Sequence, residues 1–179
     1  MATNLELKCR KGSIAELHTL AGRLGASLNA TLEQTDTYFH VPSGRLKLRR
    51  ITGRQSELIQ YDRPDVVGDR WSRYTRVGVD DADSMTRALG DALGVRCIVE
   101  KVRTLYLYKT ARIHVDEVKG LGSFLEFEVV ETPPAEADRL MAELRMAFAV
   151  REEEIIAGSY GEMMESTKVK ENPLDFIRR

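Results

Sequence analysis

Little cysteine, little proline and no surplus of charge mark this sequence, and each scarcity rules something out. Of 179 residues, two are cysteines and five are prolines. Cys9 and Cys97 fall in strand-like segments without the C-x-x-C spacing of a metal knuckle, and two thiols build no disulfide framework. Both are expected as small buried hydrophobes. No Pro/Gly/Ser-rich linker divides the chain, whose length suits one compact domain with a sizeable core. No apolar run approaches the ~20 residues that span a bilayer, so no membrane association is expected. The opening residues are charged and alternating, unlike a signal peptide, and a cytoplasmic location is expected. Lys and Arg number 27 against 28 Asp and Glu, for a net charge of −1. A nucleic-acid binder usually carries a basic excess, so nucleic acid is not expected as a partner. Any functional electrostatics must come from local segregation of charge.

What the sequence has in quantity is alternation. With 42% hydrophobic and 31% charged residues it is globular rather than disordered. From Thr3 to Arg10, Leu5, Leu7 and Cys9 face one way while Asn4, Glu6, Lys8 and Arg10 face the other, which predicts a strand. Ser13 and Glu16 form a capping box ahead of Ile14, Leu17, Leu20 and Leu24 at helical spacing, and Gly25 ends that helix. Pro42-Ser43-Gly44 predicts a turn joining strands Gln34–Val41 and Arg45–Ile51. Further strands are expected at Glu57–Arg63 and Trp71–Val79. Asp80 or Asp81 caps a second helix with Met85, Ala88, Leu89 and Ala92 on one face, ended by Gly94. Strands Val95–Thr104, Leu105–Tyr108, Arg112–Lys119 and Phe124–Glu131 follow. Pro133 and Pro134 open a third helix to about Phe148, and Glu152–Glu165 reads as a fourth helical stretch. A strand–helix–strands–helix order stated once to Leu93, and approximately again from Val95, suggests two related halves closing one antiparallel structure.

The charges sit on strand faces in a pattern. Glu6 pairs with Lys8 on one face; Arg45, Lys47 and Arg49 occupy successive positions of another. Arg63, Arg76, Lys101 and Arg103 repeat the theme. Arg112, His114 and Asp116 alternate on a later strand, and Glu126 and Glu128 on the last. If amphipathic helices cover the apolar faces, the charged faces must line a cavity, and a closed barrel does this while removing exposed edges. Desolvated like charges repel, so a cation-lined cavity calls for a polyanion, which Arg forks and Lys point charges grip. Glu126 and Glu128 with Glu6 would be repelled by phosphates unless a hard cation lies between, which makes them the expected Mg²⁺ or Mn²⁺ site. Trp71, Tyr38, Phe39 and Tyr74 are read as packing groups before stacking platforms, and His18 as solvent-facing.

These residues resemble the CYTH family, the triphosphate tunnel metalloenzymes. Asn4-Leu5-Glu6-Leu7-Lys8 looks like its E-x-E-x-K signature, and the likeness continues through Asp36–Phe39, Gly44–Arg49, Leu58–Pro64, Ser72–Tyr74, Val99–Arg103, Arg112–Asp116, Gly120-Leu121-Gly122, Phe124–Glu128 and Ser159-Tyr160. Within the family the order is most similar to the class IV adenylyl cyclase branch. The resemblance implies an α+β fold: a closed antiparallel barrel of roughly eight strands with helices outside, over residues 1–165, and a loosely held tail over 166–179. It implies that Lys8, Arg45, Lys47, Arg49, Arg63, Arg76, Lys101, Arg103 and Arg112 grip phosphates, that Glu6, Glu126 and Glu128 hold metal, and that Asp116 is a further metal or water-positioning group. Lys8 and Asp116 are the implied catalytic residues, Lys8 as a base if desolvation lowers its pKa.

The expected activity is metal-dependent chemistry on a nucleoside triphosphate or another small triphosphate: ATP cyclisation, in which the 3′-hydroxyl attacks the α-phosphorus and releases pyrophosphate, or triphosphate hydrolysis. Asn4 departs from the signature by keeping an oxygen ligand and losing a charge, and this supports the alternative of a non-catalytic triphosphate- or polyphosphate-binding module. Ile155, Ile156, Met163 and Met164 leave open whether that stretch docks on its own barrel or in a homodimer.

Overall fold

The structure, a computed structural model, describes residues 2–64 and 66–170. In chain order the elements are β1 (Ala2–Arg10), α1 (Ile14–Leu24), β2 (Ser27–Phe39), β3 (Arg45–Ile51), β4 (Ser56–Asp62), β5 (Arg70–Val79), α2 (Ala82–Leu93), β6 (Val95–Tyr108), β7 (Ala111–Val118), β8 (Gly122–Val130), α3 (Pro134–Ala147), a 3₁₀ turn (Glu152–Glu154) and α4 (Tyr160–Lys170). The eight strands close an antiparallel barrel in the order β1-β5-β4-β3-β2-β6-β7-β8. The strands before and after α2 each occupy one contiguous arc, joined where β2 meets β6 and where β1 meets β8. The two halves legible in the sequence are these two arcs.

Local chemistry sets the elements as expected at several points. Ser13 Oγ accepts from Glu16 N at the start of α1, and Gly25 ends it at φ 78, an N-cap contribution of about 1 kcal/mol. Asp81, not Asp80, caps α2 by accepting from Ser84 N. Gly44 turns the β2–β3 hairpin at φ 63, where a Cβ would lie 2.8 Å from Tyr61 O, so both conformation and space require glycine.

Helices α1 and α3 cover the outer faces of β1, β7 and β8 around Leu5, Leu7, Cys9, Ile113, Val115, Leu125 and Phe127. Helix α2 covers Phe39, Leu48 and Val79 with Met85, Leu89 and Leu93. On β1, β7 and β8 the apolar period-two positions are therefore consumed outside the barrel, and the charged ones have only the lumen to face. Both cysteines are buried thiols outside any disulfide, as expected. His18 differs from its expected solvent-facing place: Nδ1 lies 2.8 Å from Tyr106 Oη.

Three boundaries also differ. β2 begins at Ser27 rather than Gln34 and pairs with β6 over most of its length. β6 is one strand rather than two; the apparent break at Leu105 arises because the lumen face changes there from Lys101 and Arg103 to Leu105 and Leu107. The stretch from Glu152 to Glu165 is not one helix: an irregular segment separates the 3₁₀ turn from α4. Within it Ile155 bridges to Cys9, and Ile156 N donates to Lys8 O. That segment and α4 lie across one end of the barrel. Ile156 O accepts from Arg70 of β5, the Tyr160 ring packs on Phe124 of β8, and Glu162 accepts from Arg45 of β3. Gly161 sits so near β2 and β6 that a Cβ would meet Cys97 Sγ at 3.1 Å and the Tyr38 ring at 3.5 Å. Ile156, Met163 and Met164 pack here against Tyr38, Val99 and Phe124, so these apolar side chains dock on their own barrel. Helix α4 runs across the expected boundary at 165/166, and residues 171–179 lie outside the described residues. Among the described residues no helix is long and apolar enough to cross a membrane.

Candidate functional site

The barrel encloses a cavity of about 640 Å³. Strand alternation brings Asn4, Glu6 and Lys8 into it from β1, Lys47 and Arg49 from β3, Lys101 and Arg103 from β6, Arg112 and His114 from β7, and Glu126 and Glu128 from β8. Arg63, just past the end of β4, lines it too. Lys8, Arg45, Lys47, Arg63, Lys101 and Arg103 are all 9% exposed or less. Burying one unpaired charge costs several kcal/mol, so this density of cations needs carboxylates or a ligand close by.

The carboxylates fall into two sets. Asp36 and Asp116, both fully buried, lie behind the cations. Asp36 accepts from Lys47 (3.0 Å) and from Arg49 (2.8 and 3.0 Å), with Lys101 at 3.5 Å. Asp116 accepts from Arg103 (2.7 and 2.6 Å) and from the Tyr160 hydroxyl (2.8 Å). These partners hold both carboxyls below the ordinary aspartate range against the opposing effect of burial, Asp116 at about 2. Neither aspartate lines the cavity.

Glu6, Glu126 and Glu128 stand in front and do line it. Register puts Glu6 opposite Glu128, and Glu126 between Lys8 on one side and His114 on the other. Glu126 accepts from Arg103 (2.9 Å), with Lys8 at 3.8 Å. Arg112 lies 3.5 Å from Glu128, and Arg63 lies 3.5 Å from Glu6. Burial, together with the charges of Glu126 and Glu128, pushes the Glu6 carboxyl up to about 7 despite Arg63. His114, Glu126 and Glu128 offer ligand atoms all within 4.8 Å of one another.

The lysines show the cost of burial. Lys47 is brought down to about 7 by burial and the neighbouring Arg49, which outweigh its bond to Asp36. Lys8, whose Nζ sits 3.9 Å from the Tyr160 ring centroid, is lowered mainly by burial. His114 is lowered to about 4 by burial and Arg103, so the imidazole is neutral near pH 7. Several buried polar atoms have no hydrogen-bond partner among the described residues, including Asn4 Oδ1, Gln34 Oε1, Arg63 Nε and His114 Nδ1. Orphans of both kinds, donors and acceptors, face one cavity, the signature of a site built for a polar guest.

The structure thus brings Lys8, Lys47, Arg49, Arg63, Lys101, Arg103, Glu6, Glu126 and Glu128 together in the lumen. Arg76 and Arg112 stand nearer its mouth, Arg76 about half exposed and 3.6 Å from Glu57. Arg45 lies at the capped end, held by Glu162 at 2.6 Å. Among the aromatics, Tyr38 and Tyr74 line the lumen, Phe39 packs beneath α2, and Trp71 is partly exposed. Sequence reading missed the roles of Asp36 and of the cap residues Ser159, Tyr160 and Glu162. A signal for Asp36 existed: it precedes the Arg-x-Lys-x-Arg strand by one hairpin, and three adjacent cations demand a counter-charge.

Comparison with solved structures finds the same fold. A Pyrococcus horikoshii protein superposes with a TM-score of 0.80 at 22% identity, covering 89% of this chain and 98% of that one. A proposed adenylate cyclase from Vibrio parahaemolyticus gives 0.73 at 18%, covering 90% and 97%. A Hippeastrum protein, proposed as an adenylyl cyclase and described as having a dominant triphosphatase activity, gives 0.65 at 15%, covering 93% and 96%. A comparison with curated protein sequences finds no match. The CYTH domain profile matches residues 2–160, the full extent of the barrel and the start of its cap, and the chain belongs to the CYTH domain family.

Proposed function

We propose that this chain is an enzyme that acts on a small triphosphate inside the barrel with the aid of Mg²⁺ or Mn²⁺. The observation that carries this reading is the inward ring of buried cations, with unpartnered donors at Arg63, set against the glutamates of β1 and β8. Lys8, Lys47, Arg49, Arg63, Lys101 and Arg103 bind phosphate oxygens, Arg76 and Arg112 meet the part of the substrate nearest the mouth, and Arg45, expected among the phosphate ligands, instead holds the cap through Glu162. Glu6, Glu126 and Glu128 hold the divalent ion, and the orphaned acceptor Asn4 Oδ1 supplies a neutral oxygen beside them. When bound, the ion neutralises charge developing on the transferred phosphoryl oxygens.

The chain's own residues supply positioning and proton handling. Asp36 and Asp116 orient the cations, which makes them positioning residues rather than metal ligands; both Asp116 oxygens are already engaged by Arg103 and Tyr160. Lys8, with a lowered pKa and beside Tyr160 at the capped end, is the proposed acceptor of a proton from the attacking water in hydrolysis; in ATP cyclisation, where the attacking 3′-hydroxyl lies nearer the mouth, it grips phosphate. The names of the Vibrio and Hippeastrum proteins favour these two reactions as the ones to test.

The test is metal-dependent turnover of ATP, inorganic triphosphate and thiamine triphosphate by the full chain and by Glu126→Ala. Product release by the full chain well above that of Glu126→Ala supports the enzyme. Tight triphosphate binding, with turnover no faster than that of Glu126→Ala, replaces it with a binding module, the reading Asn4 favours.

A further inference from the structure

We infer that His114 is a nitrogen ligand of the lumenal metal site, and that the site therefore selects a first-row transition ion such as Mn²⁺ or Co²⁺ over Mg²⁺. This rests on the proposed function in one respect, that a divalent ion binds at Glu126 and Glu128.

The geometry isolates His114 for this role. It is 4% exposed, lies on the lumen face of β7 and is the direct cross-strand neighbour of Glu126. Its Nδ1 is 3.9 Å from Glu128 Oε1, too far for a hydrogen bond, and has no hydrogen-bond partner among the described residues. Leaving a buried polar nitrogen unsatisfied costs about 1–3 kcal/mol. The separation that is too long for a hydrogen bond suits two ligands of one ion. At metal–ligand distances of about 2.1–2.2 Å, neighbouring ligand atoms lie about 3 Å apart and opposite ones about 4.4 Å. The 3.9 Å contact falls between these, and the 4.8 Å span of the three-residue cluster closes with small side-chain rotations.

The rival third ligand on the same strand face is Asp116, whose oxygens are bound by Arg103 and Tyr160. On β1 Glu6 pairs with Arg63 and stands outside the cluster of mutually close ligand atoms, so His114 joins the glutamates rather than replacing one. One imidazole among the carboxylates makes a mixed nitrogen–oxygen donor set. Mg²⁺ prefers oxygen and keeps its waters, whereas imidazole affinity rises along the first transition row from Mn²⁺.

The experiment uses the full chain without substrate. Electron spin-echo modulation of bound Mn²⁺ is expected to show coupling to a histidine nitrogen, which changes pattern when the protein is grown with ¹⁵N-histidine. No substitution is needed for this, since His18 lies on α1 and His40 is exposed past the end of β2. In His114→Gln the coupling is expected to vanish, and the preference for Mn²⁺ over Mg²⁺ in competition to fall at least about tenfold. Mn²⁺ that binds without nitrogen coupling, or with selectivity unchanged in His114→Gln, overturns the assignment of His114 and leaves the proposed function standing. Failure of the wild-type chain to bind Mn²⁺ at all overturns both.

Discussion

The two walls of the lumen use the same residue types to opposite ends. On the β2–β3–β6 wall the cations face the cavity and their carboxylate, Asp36, is set behind them, so the surface offered to a guest is positive. On the β1–β7–β8 wall Glu6, Glu126 and Glu128 are in front, with Lys8 and Arg103 reaching in from the side. The difference lies in depth rather than composition. A carboxylate behind a cation fixes and discharges it; a carboxylate in front of one leaves oxygen ligands free for a divalent ion. Under the proposed function, one wall holds phosphate and the other holds what phosphate needs as a counter-ion.

Breaking the first wall is expected to have the largest effect. Asp36→Asn leaves Lys47, Arg49 and Lys101 without their shared counter-charge, and should destabilise the fold by about 3–5 kcal/mol, a fall of about 10 °C in Tm for a chain of this size. Thermal unfolding without metal or phosphate measures it, and saturating inorganic triphosphate should bind more weakly but recover part of the loss. An unchanged melting temperature would sink the view that Asp36 is the keystone of this wall.

Removing a cation from the front of the same wall should cost binding instead of stability. Lys47→Ala is expected to weaken triphosphate binding by about 10–100-fold while unfolding shifts little, since Asp36 retains Arg49. A calorimetric titration beside a melting curve separates the two, and a large stability loss with intact binding would reverse the assignment.

The two walls should also respond oppositely to pH. Lys47, at about 7 in the fold against about 10.4 unfolded, binds fewer protons folded than unfolded, so its contribution grows as pH rises above 7. Glu6, at about 7 against about 4.3 unfolded, binds more, so its contribution is full at acid pH and is lost as pH rises to 7. In His114→Gln, where the opposite shift of His114 (about 4 in the fold) no longer offsets Glu6, metal-free, phosphate-free protein should therefore show a shallow stability minimum near pH 7, visible as a dip in Tm between about pH 5 and 10. Triphosphate, by keeping Lys47 charged, should fill the dip from its alkaline side. A steady fall in Tm above pH 7 would show that Asp36 keeps Lys47 protonated after all.

The smallest effect sharpens the second wall. Asn4→Glu restores a charge beside Glu6 and should raise Mn²⁺ affinity several-fold, about 1 kcal/mol. An unchanged Mn²⁺ titration would mean that position 4 does not reach the ion.

Most of this contrast was legible in the sequence because period two is a rigid rule: once Leu5, Leu7 and Cys9 are assigned to the helical layer, Glu6 and Lys8 have no other side to occupy. The barrel, its helices and the lumenal cations follow from that rule applied strand by strand. What escaped depends on pairing across the sheet. Asp36 is one polar residue among several in β2 until register sets it against Arg49, and His114 gains meaning only opposite Glu126. The cap escaped because α4 carries little helical amphipathicity: Tyr160 and Glu162 are held by Asp116 and Arg45 from distant strands, not by a pattern of their own.

The cap across one end of the barrel has a consequence in time as well as space. Under the proposed function, a tunnel stoppered at one end by Tyr160 and α4 takes its substrate from the other, so a triphosphate that enters phosphates first leaves its cleaved tail innermost. The organic fragment must then depart before the inorganic one, and the last product out should compete with the next substrate in. The stopper would thus write an order of events into the kinetics, readable in which product inhibits competitively.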